Sequence, residues 1–388
     1  MPFSPSVNRT RTWCRRLSVM TKKELIQLSR DVPILLFLIY SFTLAVYITG
    51  TGISIQLRNA NFVVYDADHS FSSRDLIHRF RPPYFRLDGE ILHQQEGLRL
   101  LDQGKTMMVL DIPPRFQESL ATGEPTAVQI QIDTTNAPQG LSAASYAAQI
   151  VGQFGLEAAA RNLRLSAESR KSLPQIRSEY RVWYNPEQKD AWFESVSHLL
   201  RMITLFAILL PAAAMVREKE RGTIEQLLVS PLTPFQMMVS KVLAMTMVIL
   251  ASSGVAVFCV LQPIIGVPIK GSLLLFFGLT VLYVFTTAGV GLFAATIARN
   301  QAQVGLMTIM ILIPMLLLSG ITSPMEVMPV WVRNLTVFSP LRYFIDITFG
   351  IFFKGAGLAI LWQPVLAMMF LGSVTFGLGM WRFRRQFE

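Results

Sequence analysis

A run of alternating charges between two long apolar segments is the first candidate for chemistry in this sequence. Residues 217–221 read Arg-Glu-Lys-Glu-Arg, and Gly222 follows. On a helix, Glu218 lies three residues before Arg221, and Arg221 lies four residues before Glu225, so these side chains are placed to pair. The pattern predicts a charged helical turn that is offered to a partner molecule.

A short amphipathic helix is predicted directly after this run. Thr223 is a typical N-cap residue, and Glu225 and Gln226 fall in the first turn, where the helix dipole favours acidic side chains. Leu227 and its apolar neighbours form one face. The alternative is a solvated connector that follows the positive-inside rule. That alternative leaves the three acids among residues 217–241 unexplained.

Two other groups of reactive residue types are explained by local structure. Asp66, Asp68 and His69 follow a predicted strand, so we interpret them as a turn. Residues 104–106, Gly-Lys-Thr, resemble the end of a phosphate-binding loop. The full pattern requires glycine at position 99, which is Arg99, and a helix where a strand is predicted. We therefore expect no ATP site in this chain.

Composition excludes several classes of protein. Apolar residues make up 52% of the chain and charged residues 15%, against roughly 25% charged residues in soluble proteins. The net charge is +10. The basic residues lie beside the apolar segments and not along one amphipathic face, which argues against nucleic-acid binding. Cys14 and Cys259 are the only cysteines, so no disulfide framework or metal-ligand spacing exists.

Six membrane-spanning helices are predicted, because each apolar segment has about the 20 residues needed to cross a bilayer. They cover residues 33–53, 196–216, 242–263, 272–298, 302–321 and 358–380. Basic residues cluster in the N-terminus, the 217–240 loop, Arg299 and the 382–388 tail. The positive-inside rule therefore places both termini in the cytoplasm.

A polar segment is inserted between the first two spans. Residues 54–195 contain three predicted strands and an Ala- and Gln-rich helix over 138–170. The first strand lies within 61–68 and leads into a turn, and the other two are at 105–113 and 127–133. This is expected to be a mixed α/β domain outside the cytoplasm.

Three further regions complete the predicted organisation. Residues 1–32 form a cytoplasmic N-terminus, with an amphipathic helix on the membrane surface over 15–31. Residues 196–381 hold spans two to six. Within them, residues 322–358 contain prolines and aromatic residues typical of a re-entrant segment on the outer side.

The predicted spans lack charged residues near the middle of the bilayer. His198 and Arg201 lie near the outer end of the second span. A central charge costs at least about 2.5 kcal/mol, and ion-coupled transporters retain such residues. A gradient-driven transporter is therefore disfavoured, and an intramembrane enzyme would need more than Cys259. Energy for transport would come from a partner.

At residues 218–233 the sequence Glu-Lys-Glu-Arg-Gly-Thr-Ile-Glu-Gln-Leu-Leu-Val-Ser-Pro-Leu-Thr resembles the signature loop of ABC-2 type permeases, the membrane subunits of bacterial ATP-binding-cassette exporters. Residues 64–74, 112–116 and 183–186 resemble the drug-efflux branch, which acts with a periplasmic adaptor. One departure is at residues 195–198, Ser-Val-Ser-His, where relatives often carry Pro-Gly.

The resemblance implies an α-helical polytopic membrane protein like a type V ABC exporter, with six transmembrane helices and the inserted extracytoplasmic domain, in the bacterial inner membrane. It implies a separate ABC ATPase that binds ATP and Mg, with no cofactor on this chain. A second permease copy, identical or a close paralogue, and an adaptor would be partners. ATPase coupling would involve Arg217, Glu218, Glu220, Arg221, Gly222, Thr223, Glu225, Gln226 and Leu227, and the 299–303 turn would make a second contact.

The resemblance also implies a transport path between two subunits, lined by spans two and five. The candidate lining residues are Met202, Thr204, Phe206, Met307, Met310 and Met315. Flexible thioethers suit a promiscuous apolar path, although ordinary helix packing also explains such residues. The expected function is export of a hydrophobic or amphipathic, drug-like solute. Export of lipid or a polysaccharide precursor, and a membrane-anchored sensor with a ligand-binding ectodomain, remain alternatives.

Overall fold

The helices that are apolar and long enough to cross a membrane lie in a different part of the chain from the β-strands. The computed structural model describes residues 5–52, 59–135, 137–162, 189–222, 233–321, 325 and 328–387. The chain divides into two units, one of Met1–Ile53 with Val182–Glu388 and the other of Ser54–Arg181. The first unit contains the apolar helices, and the second contains the sheet.

The first unit begins with a charged helix followed by an apolar segment. α1 (Pro5–Ser29) carries most of the N-terminal basic residues. α2 (Val32–Phe42) and α3 (Leu44–Gly52) together form a 21-residue apolar segment that is interrupted at Thr43. Asp31 caps α2, since its carboxylate accepts a hydrogen bond from a backbone N–H of the first turn. The boundary between polar and apolar chain therefore lies next to Asp31.

The second unit is built on a four-stranded mixed sheet. Its elements are β1 (Ala60–Asp66), α4 (Phe71–Arg79), β2 (Phe85–Glu90), α5 (Gln94–Asp102), β3 (Met108–Ile112), α6 (Phe116–Thr122), β4 (Gln129–Ile132) and α7 (Ala137–Asn162). The strand order is β2-β1-β3-β4. β1 pairs in parallel with β2 and β3, and β4 is antiparallel to β3. Three buried phenylalanines pack on one another in its core: Phe62 of β1, Phe80 directly after α4, and Phe85 of β2.

The turn after β1 is held by the carboxylate of Asp66. One oxygen accepts backbone N–H bonds from Asp68 and His69, each at 3.0 Å, and the other accepts the Ser73 hydroxyl at 2.6 Å. This agrees with the interpretation of these residues as a turn. A strand, and not a helix, follows residues 104–106, as the rejection of a phosphate-binding loop required.

The remainder of the first unit is helical in the described residues. Its helices are α8 (Asp190–Glu220), α9 (Pro234–Val255, continued by a π-helix over Ala256–Ile265), α10 (Leu273–Ile297), α11 (Gln301–Leu317), α12 (Val330–Leu335), α13 (Pro340–Lys354) and α14 (Leu358–Phe387). Two glycines on α10 allow close packing in this bundle. A side chain at Gly291 would meet the backbone of α8 at Ile208, and one at Gly289 would meet the backbone of α14 at Phe376. Small residues at such crossings are typical of membrane helices.

The number of candidate spans differs slightly from the expected six. Within the described residues, five helical segments are long and apolar enough to cross a membrane: Val32–Gly52, Asp190–Glu220, Pro234–Ile265, Leu273–Ile297 and Leu358–Arg385. The helices over Val330–Phe338 and Pro340–Lys354 meet at a bend of 82°. If this pair is counted as one span, the number of candidate spans is six.

The predicted fifth span corresponds to α11, which is a shorter apolar helix of 17 residues. A helix of that length is about 25 Å long, a little less than the roughly 30 Å hydrocarbon core. The predicted re-entrant segment over 322–358 falls partly outside the described residues, and its described part contains the bent pair.

Candidate functional site at the end of helix α8

The charged run lies at the C-terminal end of α8. The helix ends at Glu220, and Gly222 has a φ of 64°, a left-handed conformation that favours glycine and commonly ends helices. Four of the predicted coupling residues lie outside the described residues: Thr223, Glu225, Gln226 and Leu227. The structure therefore shows how the start of the predicted coupling segment is held.

Glu218 lies in a buried ionic cluster that joins three helices. Its two carboxylate oxygens accept hydrogen bonds from the amino groups of Lys23 and Lys241, each at 2.7 Å. Lys241 also donates to Glu24 at 2.8 Å. The side chains of Lys241 and Glu24 are 1% and 2% exposed. We call these four residues, Lys23, Glu24, Glu218 and Lys241, the ionic cluster.

The ionic cluster is electrically balanced, since it contains two lysines and two glutamates. Burial lowers the pKa of Lys23, but the hydrogen bond to Glu218 and the nearby negative charges raise it above its ordinary value of 10.5. Each buried charge in the ionic cluster depends on its partners, because a lone buried charge is strongly unfavourable. The ionic cluster therefore holds α1, α8 and α9 together, and replacing any one of its charged side chains should lower the stability of the protein.

Arg217 adds a second connection between α8 and the N-terminal segment. Its guanidinium donates to the carboxylate of Asp31 at 2.7 Å, and Asp31 also caps α2. Arg217 is 7% exposed and Glu218 is 4% exposed. This corrects the expectation that the whole charged run faces a partner, because Asp31 pairs with Arg217 and residues of α1 and α9 pair with Glu218.

Lys219 and Glu220 connect the same end of α8 to the turn between α10 and α11. The amino group of Lys219 donates to the backbone carbonyls of Ala295 and Thr296, at 2.6 and 3.2 Å. These carbonyls lie at the C-terminus of α10, where the helix dipole favours a cation. Glu220 accepts the backbone N–H of Gln301 at 2.9 Å, in the first turn of α11. The 299–303 turn is thus tied directly to the charged run.

The described charged residues that remain on the surface here are Glu220 and Arg221, and Gly222 beside them is also exposed. The end of α8 therefore has an inner part, Arg217 and Glu218, which anchors it, and an outer part, which is accessible.

Four residues that complete this site are not identified by the charge spacing around residue 217: Lys23, Glu24, Asp31 and Lys241. A signal for two of them was present. Glu24 lies on the partly apolar face of α1, and with Asp31 it is one of the two acids among the first 31 residues. An acid on an apolar helix face indicates a buried basic partner. The partner, Lys241, is 217 residues away in sequence and could not be identified from spacing.

The predicted path residues do not share one environment. Thr204 and Phe206 are fully buried in the core of this chain. The hydroxyl of Thr204 lies 2.7 Å from that of Tyr283, and the ring of Phe206 packs against Phe37 and Phe42. These two residues therefore pack within the chain and do not lie on a surface that a second subunit could share.

The methionines differ from one another as well. Met202 and Met307 are half-buried, Met315 is 9% exposed, and Met310 is 77% exposed. Met310 lies on α11 with other exposed apolar residues at helical spacing, among them Leu306, Ile313 and Leu317. Of the six candidates, Met310 is the most accessible.

The long apolar helices define the chain as a polytopic membrane protein. A family model described as ABC-2 family transporter protein matches residues 32–382. The chain therefore belongs to the ABC-2 family of transporter permeases, as its charged loop indicated. The family implies an ABC ATPase partner and dimerisation in general.

Full-length relatives agree with this assignment. The chain is 34% identical over 364 residues to inner membrane transport permease YhhJ of Escherichia coli, covering 94% of this chain and 95% of the relative. It is 29% identical to the probable multidrug ABC transporter permease YbhR, over 96% of this chain and 99% of the relative, and 28% identical to YbhS, which has the same description. The relatives and the apolar helices support a multi-pass protein of the inner membrane.

Proposed function

We propose that this chain is the permease subunit of an exporter that moves hydrophobic or amphipathic, drug-like solutes out of the cytoplasm or the inner leaflet. The observation that carries the proposal is the end of α8, where an accessible charged segment is bonded to several helices at once. A force applied at residues 220–222 would reach α1 and α9 through the ionic cluster, and α10 and α11 through Lys219 and Glu220.

The energy source in this proposal is a separate ATPase that docks on the segment over residues 217–234. Glu220 and Arg221 would meet the ATPase, while Arg217 and Glu218 hold the segment in place. The 299–303 turn would move with it, because Glu220 bonds to the N-terminus of α11. ATP and Mg would bind to the partner and not to this chain.

The membrane arrangement follows from charge. Both termini and the 217–240 loop would be cytoplasmic, and residues 54–195 would be periplasmic, where a periplasmic adaptor is the proposed partner. A reporter enzyme that is active only in the periplasm, fused near residue 120, is expected to be active. Activity of a cytoplasmic reporter at that position would overturn this topology.

The transport path would lie between two permease copies. The exposed apolar face of α11, with Met310 at its centre, is the best-supported lining. Its residues are accessible in the single chain, and flexible methionine side chains accommodate varied apolar solutes.

Transport into inverted membrane vesicles tests the function directly. Vesicles containing this chain and its ATPase are expected to accumulate members of a panel of lipophilic dyes and drugs when ATP is added. Vesicles lacking the chain serve as the control. Accumulation that persists without the ATPase, or that occurs only with lipids or polysaccharide precursors, would contradict the proposal.

A further inference from the structure

A cavity of about 550 Å³ lies where the last turns of α1, the start of α2 and the end of α8 meet. It is open on one side to the surface of the chain. Its polar lining consists of Lys23, Gln27, Arg30, Asp31, Arg217 and Arg221. The volume is in the range of sites that hold a small molecule or a headgroup.

The lining has an excess of positive charge. It contains four basic residues and one acid, Asp31, whose carboxylate already accepts a hydrogen bond from Arg217. Lys23 pairs with Glu218. Arg30 and Arg221 have no carboxylate within ion-pair distance in the described part of the chain. The cavity therefore attracts an anion.

Arg217 contributes a second arginine to the polar lining of the cavity. Its side chain is 7% exposed and is held in position by the hydrogen bond to Asp31 at 2.7 Å. A planar guanidinium donates two parallel hydrogen bonds to phosphate or carboxylate oxygens.

The cavity also lies at the boundary between polar and apolar chain. Ile26 and Pro33 form its apolar lining, and Val32 and Leu36, at the start of the apolar segment, are 58% and 63% exposed. A free anion would use only the arginines. A phospholipid would place its phosphate among the arginines and its acyl chains along the exposed apolar side chains.

We propose that this cavity binds the headgroup of an anionic phospholipid, with Arg30 and Arg217 donating hydrogen bonds to its phosphate. Basic cavities between membrane helices are suited to such headgroups. The bound lipid would link α1 to the end of α8, next to the ionic cluster.

Titration of the purified full-length protein with short-chain lipids tests this site. Dioctanoyl phosphatidylglycerol is expected to bind more tightly than dioctanoyl phosphatidylcholine, and inorganic phosphate is expected to bind weakly. Replacing Arg30 by glutamine removes a charged hydrogen-bond donor and should weaken phosphatidylglycerol binding about tenfold or more. Arg30 is exposed, so Arg30→Gln should not change thermal stability, and Arg30→Lys should recover part of the affinity.

The matched control is Arg15→Gln, which removes the same charge from an exposed position on α1 away from the cavity. Unchanged binding in this control would support the site. Equal weakening by both glutamine variants would show general attraction to a basic helix and overturn the proposal. So would inorganic phosphate binding as tightly as phosphatidylglycerol, or unchanged binding after Arg30→Gln.

Discussion

Opposite charges hold helices together in both units of this protein, but in different surroundings. In the first unit the side chains of Lys241, Glu24 and Glu218 are 1–5% exposed. In the second unit Arg79 pairs with Glu157 of α7 at 2.7 Å, with the side chains 27% and 43% exposed. The shortest nitrogen–oxygen distance is 2.7 Å in both places, so the surroundings and not the distance decide the energetic difference.

Exposure to water determines how much each ion pair contributes to the free energy of unfolding. An exposed pair is screened and typically contributes about 0–1 kcal/mol. Removing one member of a buried pair costs about 3–5 kcal/mol, because it leaves an uncompensated charge. The ionic cluster is therefore expected to be the more sensitive of the two, and it lies at the end of α8 where coupling to the ATPase is proposed.

The largest effect is expected for Lys241→Met. This substitution keeps the volume of the side chain but leaves Glu24 without its closest basic partner, which should destabilise the protein by about 3–5 kcal/mol. Thermal unfolding of the protein in detergent measures the change. Lys22→Met, which makes the same substitution at an exposed position on α1, is the control and should retain most of the stability. If Lys241→Met were as stable as the unchanged protein, the buried ion pairs of the first unit would be no more important for stability than the exposed pair of the second unit.

A smaller effect is expected for Lys23→Gln, because the Lys23 side chain is 44% exposed. The loss should be about 1 kcal/mol, after the hydrogen bond to a charged group is discounted for solvent screening. The pKa of Lys23 is raised, so its contribution is present below pH 10.5 and lost as the pH rises through the raised value.

The pH dependence provides the check on this assignment. The unfolding temperatures of the unchanged protein and Lys23→Gln should differ at neutral pH and converge above the raised pKa of Lys23. A difference that stays constant in that alkaline range would show that the Lys23 charge is not the cause.

The smallest effect is expected for Arg79→Gln in the second unit, below about 1 kcal/mol. The hydrogen bond from Arg79 lowers the pKa of Glu157 below its ordinary value of 4.5. The contribution is therefore present above pH 4.5 and lost as the pH falls through the lowered value. Hydrogen exchange in α4 and α7 of the full chain would detect it, and added salt should reduce it. A loss as large as that of Lys241→Met would contradict the role given to burial.

Local patterns in the sequence predicted most of the elements but not their long-range contacts. The three predicted strands correspond to β1, β3 and β4, and the helix expected over 138–170 corresponds to α7 in the described residues. β2 was missed because its sequence, Phe-Arg-Leu-Asp-Gly-Glu, is largely exposed and carries charges and a glycine that disfavour strands.

The candidate site shows the same limit. The spacing of charges identified the end of α8, but it suggested pairing within one helix. The structure instead pairs Glu218 with lysines 195 residues before it and on the following helix. Partners so distant are set by helix packing, which single-sequence periodicity does not specify. Likewise, the apolar segments of the sequence predicted that Phe206 and Met310 lie in membrane spans. They did not predict that Phe206 is buried and Met310 is exposed.

The central claim is that the accessible end of α8 receives the movement of the ATPase, and Arg221→Glu tests it most directly. In the reconstituted complex, the ratio of solute transported to ATP hydrolysed should fall sharply, while membrane insertion and protein yield stay unchanged. Glu118→Lys, a charge reversal at an exposed position in the second unit, is the control. A ratio in Arg221→Glu equal to that of the unchanged complex would contradict the account.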